Sequence, residues 1–191
     1  MLQQTARILS NLFQPMLTGT YVLLTIALTS ALTWKAGVAW GAGMALLTAG
    51  VPALDIYRRM RGHTVDDFHI LVRRQRLRPL LVAMFCTGLG FALALVLDAP
   101  HPLQASLLAA LVTGALLTSV TGVWKISFHA AAAASALVIL TWGLGWEALA
   151  LGPLVPAVAW SRVALGRHTP AQVVAGLAAG SAVTIAVLFL Y

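Results

Sequence analysis

The sequence predicts an all-α, polytopic transmembrane helical bundle. Three observations carry that expectation: too few charges for a wetted surface, apolar runs of spanning length, and tryptophans at the ends of those runs. Of 191 residues, 60% are hydrophobic and 9% are charged, and the mean hydropathy is +0.91. A soluble domain carries about 25% charged residues, so this chain cannot present polar groups to water on every side. A spanning helix needs about 20 mainly apolar residues. On that basis spans fall near 17–34, 37–56, 80–97, 103–124, 128–146, 149–162 and 170–190. The sixth is short, and Pro153 and Pro156 bend its start, so the expected count is six to seven.

The remaining elements follow in order. Residues 1–15 place Ile8, Leu9, Leu12 and Phe13 at helical spacing, which predicts an interfacial helix over residues 1–16 lying on the membrane. Trp34, Trp40, Trp124, Trp142, Trp146 and Trp160 all fall near span ends, where amphipathic rings settle among head groups. The Ala-rich and Gly-rich spans, with Gly176 and Gly180 in the last, suit close helix packing. Cys86 stands alone in an apolar run, so one chain has neither a disulfide nor a thiolate metal site. The first apolar run is too long for a cleavable signal. Residues 1–191 therefore read as one membrane domain.

The charge pattern orients this bundle. With seven spans, residues 57–79, 124–128 and 163–169 emerge on one face, together with the N-terminal helix. All twelve Lys and Arg residues except Lys35 lie there, while the other face has Lys35, Asp98, His101 and Glu147. The positive-inside rule places the basic face in the cytoplasm of a multi-pass cell-membrane protein. Arginines serving a site would inflate that count. Setting aside Arg73, Arg76, Lys125 and Arg162 still leaves Arg7, Arg58, Arg59, Arg61, Arg74, Arg78 and Arg167. The net charge of +7 calls for an anionic partner. Its placement between apolar spans fits lipid head groups or a phosphorylated substrate, not nucleic acid.

Three segments of the basic face carry the candidate chemistry. They are "DDFHILVRRQRLRP" (66–79), "KISFH" (125–129) and "SRVALGRHTPAQ" (161–172). Arg presents a planar fork to phosphate oxygens, and Lys adds a point charge. Thr169-Pro170 is the expected N-cap and first residue of the last span, with His168 just before it. Ser127 is the expected cap of the fifth, with His129 in its first turn. Two helix N-termini and several cations at one rim make a phosphate site. Two His beside it divide into a nucleophile and a proton donor, with no metal or cofactor required.

This order and spacing resemble the type 2 phosphatidic acid phosphatase superfamily, whose motifs are Lys-x6-Arg-Pro, Pro-Ser-Gly-His and Ser-Arg-x5-His-x3-Asp. Ser161-Arg162, five residues and His168 match the third motif, with Gln172 where the family has Asp. Ile126-Ser127-Phe128-His129 keeps the Ser and His of the second. In the first, Arg78-Pro79 is present but Leu71 replaces Lys. The segment is similar to a variant Asp-x6-Arg-x2-Arg-x2-Pro, here Asp66, Arg73, Arg76 and Pro79. The resemblance covers roughly residues 60–185. It implies that Arg162 binds phosphate, His168 forms a phosphohistidine, His129 is the general acid and Ser127 meets a phosphate oxygen. Arg73 and Arg76 would join the phosphate site, Lys125 would supply the missing ammonium, and Asp66 would orient. Gln172 would orient His168 without supplying charge, which implies slower chemistry or a retuned substrate.

Other readings compete. The 73–78 run equally suits a topology signal or a lipid-head-group clamp. Asp66 and Asp67 have Mg²⁺ as an alternative, although pairing with Arg73 or Arg74 is simpler. His63 and His69 read as solvated, and His101 is on the wrong face. The expected function is an integral-membrane phosphatase acting on phosphatidic acid, phosphatidylglycerophosphate or a polyprenyl diphosphate, with the bilayer its surroundings. The alternatives are a same-fold phosphoryl or prenyl transferase and a non-catalytic lipid-binding or transport protein.

Overall fold

Pro15 divides the first apolar stretch in two. It has no N–H to donate and its φ suits a first helical position. Helix α1 (Leu2–Leu12) therefore ends before it, α2 (Pro15–Ser30) starts on it, and the two meet at 52°. The structure is a computed structural model that describes residues 1–61 and 73–191, with the backbone alone for 73–76. Asp66 thus lies outside the described residues, as do the side chains of Arg73 and Arg76.

Every regular element among the described residues is helical. Thr33 accepts from the Ala36 N–H at 3.2 Å and caps α3 (Trp34–Ala45). That helix continues through a π-helical turn, Leu46–Gly50, into α4 (Val51–Arg61). Next come α5 (Arg73–Val96), running through Pro79, and α6 (His101–Thr121). They are followed by α7 (Phe128–Leu144), a 3-10 segment (Trp146–Leu151), α8 (Leu154–Ala164) and α9 (Pro170–Leu190). Among the described residues, four helical runs are long and apolar enough to cross a membrane: Trp34–Arg61, Leu77–Val96, His101–Thr121 and Pro170–Leu190. The bent α1–α2 pair makes a fifth if it is one span. The arginine run expected between spans is helical from Arg73 onward.

The core joins α2, α3, α6 and α7 through Leu23, Ile26, Met44, Leu103, Leu107 and Ile139, each almost wholly buried. Of the six Trp, only Trp40 packs against it; the other five are exposed at helix ends.

Helices α7 and α9 place the site. Ser127 O lies against Gly176 and Ala131 O against Gly180, where an added Cβ would come within 2.5 and 2.4 Å of those oxygens. One turn on, Ser135 Oγ donates to Gly180 O at 3.0 Å and Thr184 Oγ1 donates to Ser135 Oγ at 2.9 Å. Contacts that advance together along both chains mean parallel helices, so their N-termini share one end. The glycines permit the approach because apolar lipid gives packed helices little hydrophobic incentive, leaving close backbone contact and interhelical hydrogen bonds to hold them. The chain between must then return. The 17 residues of α7 rise about 25 Å. The 3-10 segment and α8, of 6 and 11 residues, together span about 28 Å.

Candidate functional site

The turn from α8 into α9 is built around one carbonyl. Gly166, at φ +64°, adopts the left-handed conformation that ends a helix. Its N–H reaches Val163 O at 2.9 Å, and the N–H groups of Arg167 and His168 both reach Arg162 O, at 3.0 and 3.2 Å. This Schellman closure is the physical content of the Ser-Arg-x5-His spacing: His168 is wrapped back onto the residue that carries the guanidinium. An added Cβ at Gly166 meets nothing within 4 Å, so Gly166→Ala tests the backbone alone. Its expected result is a loss of about 1 kcal/mol in stability, seen as a lower unfolding midpoint of the detergent-solubilised protein.

Beyond His168, Thr169 and Gln172 form a reciprocal cap. Thr169 Oγ1 accepts from Gln172 N at 3.3 Å, and Gln172 Oε1 accepts from Thr169 N at 3.2 Å. The same Oε1 stands 3.2 Å from His168 Nδ1. The backbone donor determines which amide atom faces inward, since only the oxygen can accept. An imidazole paired with that oxygen carries its proton on Nδ1. Gln172 therefore orients His168 and caps the helix at once. The Thr-x-x-Gln signal is visible in the sequence as a capping box.

Ser127 begins α7 next to this cap. Fully buried, it accepts from Ala130 N at 3.3 Å through Oγ, and its own N–H donates to Gln172 O at 3.2 Å. The two helix N-termini are thereby tied together, and their positive ends point into one neighbourhood. His129 follows in the first turn of α7 and is 8% exposed.

Arg162, His129 and His168 line one apolar cavity of about 360 Å³. Down α7 its wall continues through Ala132, Ala136 and Ile139, about 15 Å of helix from His129. Helices α2, α5 and α6 close the remaining sides, mainly with aliphatic residues. A guanidinium and two imidazoles thus sit where a hydrocarbon-lined cleft begins, an arrangement that can hold an anion attached to an apolar chain.

Sequence reasoning did not find Ser10. Helix α1 packs on α8, and Arg162 Nη1 donates to Ser10 Oγ, both side chains being buried. The signal was present as a polar stripe, Gln3, Arg7, Ser10 and Asn11 at i, i+4, i+7 and i+8, but nothing in it names a partner. Lys125 is half-buried on the turn before Ser127 and is not part of the cavity's lining. Among the described residues, no group of three or more His, Cys, Asp or Glu gathers to hold a metal. His101 stacks on Tyr191 at 5.0 Å, at the far end of α9 from His168. No protein-family model matches this chain, and neither a curated protein nor a solved structure matches it.

Proposed function

We propose that this chain is a membrane phosphatase resembling the type 2 phosphatidic acid phosphatases, acting on a lipid phosphomonoester or diphosphate through His168. One observation carries the reading: His168, His129 and Arg162 share one end of an apolar cavity. The lipid tail would occupy the hydrocarbon-lined part while its phosphate meets Arg162 and the two helix N-termini.

The steps follow from that placement. His168 Nε2 attacks phosphorus, a nitrogen–phosphorus bond forms, and the bond from phosphorus to the lipid oxygen breaks. His129 gives that oxygen its proton, releasing an alcohol or, from a diphosphate, a lipid monophosphate. Water then attacks the phosphohistidine and gives its proton to His129. Inorganic phosphate leaves with His168 restored. Arg162 and the helix ends stabilise the charge on the phosphoryl oxygens throughout. Arg73 and Arg76 are proposed to add further cations from the start of α5, and Lys125 from the turn before Ser127. Asp66 would orient them.

In this reading the span count is seven: α2, the α3–α4 run, α5, α6, α7, the 3-10 segment with α8, and α9. Helix α1 lies at the interface. The parallel pairing of α7 and α9 supports the sixth span, since the chain must return across the bundle between them. Eleven of the twelve Lys and Arg residues (all but Lys35) support a cytoplasmic active-site face.

The test is phosphate release by purified protein in liposomes with EDTA present. Phosphatidic acid, phosphatidylglycerophosphate, and farnesyl and undecaprenyl diphosphates form the panel. Release from at least one is expected, and none from any, with folded protein, would overturn the phosphatase reading in favour of transfer or binding. Gln172→Asp gives a second check. A carboxylate can keep the cap and adds charge beside the imidazolium, so kcat should rise about tenfold; a fall below wild type would mean that charge beside His168 does not favour the reaction.

A further inference from the structure

Arg162 is a wall between two cavities. Besides the apolar cleft, it lines a cavity of about 540 Å³ between α1 and the α8–α9 turn. Its lining includes Arg7, Arg162, Arg167, Gln3, Ser10 and Asn11, with no carboxylate among the described residues. Three guanidiniums select an anion, and the amide and hydroxyl groups supply hydrogen bonds to its oxygens. The orientation of α1 is the second observation. Leu2, Ile8 and Leu12 point outward, at 74%, 52% and 50% exposure, while Gln3, Arg7, Ser10 and Asn11 line the cavity. Of that stripe Ser10 is buried against Arg162, while Gln3, Arg7 and Asn11 are exposed on the cavity side.

We propose that this cavity is a second phosphate subsite, on the water side of Arg162, which takes the inorganic phosphate produced at His168. The inference rests on the phosphatase reading for the source of its ligand. The site itself stands on the α1–α8 geometry. The two products then part in opposite directions. The dephosphorylated lipid stays in the hydrocarbon-lined cleft, and phosphate passes from one face of the Arg162 guanidinium toward Arg7 and Arg167. Water for the second step arrives by the same polar route.

The ligand probe is inorganic phosphate itself, added to the full-length protein in an uncharged detergent with chloride at matched ionic strength as control. Phosphate should raise the unfolding midpoint of wild-type protein more than chloride does. Arg7→Gln should weaken phosphate binding about tenfold, as expected for losing one charge-assisted contact, and Arg7→Lys should restore part of it. Arg7 is exposed, so its replacement leaves the core untouched. The parallel kinetic arm measures inhibition of lipid dephosphorylation by added phosphate, whose inhibition constant should rise by the same factor. Equal effects of phosphate and chloride, or phosphate binding unchanged in Arg7→Gln, would overturn the subsite while leaving phosphatase activity intact. Arg7-dependent phosphate binding in a protein that hydrolyses none of the lipids would do the reverse, keeping the subsite and removing the phosphatase reading.

Discussion

His168→Ala is expected to reduce phosphate release by at least about 10³-fold, because it removes the atom proposed to attack phosphorus. The loss should be equally deep for every substrate. His168 is half-buried on a turn and lies outside the hydrophobic core, so the unfolding midpoint should hardly move. His129→Ala provides the contrast. A general acid matters in proportion to how poorly the leaving oxygen departs. In the first step the His129 variant should therefore be slow on lipid alcohols and close to wild type on a phenolic phosphate, which leaves without help. The pre-steady-state burst reads this, since His129 also serves the water of the second step. Were both variants equally impaired on both leaving groups, the division of roles between the two imidazoles would be wrong. Were His168→Ala to retain turnover, the phosphohistidine step would be lost with it.

Gly180→Val should produce the largest structural effect. A Cβ there would lie 2.4 Å from Ala131 O and 2.8 Å from Ala131 Cα, so backbone must move, and α9 is forced away from α7. The expected destabilisation is about 3 kcal/mol or more, read as a lower unfolding midpoint in detergent. Activity should fall as well, since separating the helices pulls the Gln172 carbonyl from the Ser127 N–H and moves His168 relative to His129. Gly43→Ala is the control. That Cβ meets nothing within 4 Å, so the variant should be neutral or more stable by up to about 1 kcal/mol. A tolerant Gly180 would mean that the α7–α9 contact does not hold the site together.

Much of this chain was legible because the relevant physics is local. The helical membrane class follows from apolar fraction and run length, which need no partner to interpret. The starts of α7 and α9 follow from Ser127, Thr169 and Pro170, since capping acts within four residues. The capping-box and left-handed-glycine signals, Thr169-x-x-Gln172 and Gly166, were equally present in the sequence. They concern the same residues as the phosphatase-like motif, so the spacing of that motif is itself a record of turn geometry. The shortness of α8 was also readable, from Pro153 and Pro156.

By itself, then, the sequence determined the helical class and the caps. Tertiary structure decided which helices touch. Helices α7 and α9 are apolar all round, and in lipid a packed face and a lipid-exposed face have the same hydrophobicity, so periodicity is silent about which is which. Only the approach of Gly176 and Gly180 to the α7 backbone shows that the two run parallel and bring His129 to His168. Helix α1 is the sharper case. Its amphipathic pattern predicts a helix with two faces, yet the pattern cannot say which face meets protein. The fold buries the edge that holds Ala6 and Ser10 and sets Ser10 on the buried guanidinium of Arg162, because a buried charge needs polar neighbours, and it leaves Gln3, Arg7 and Asn11 exposed.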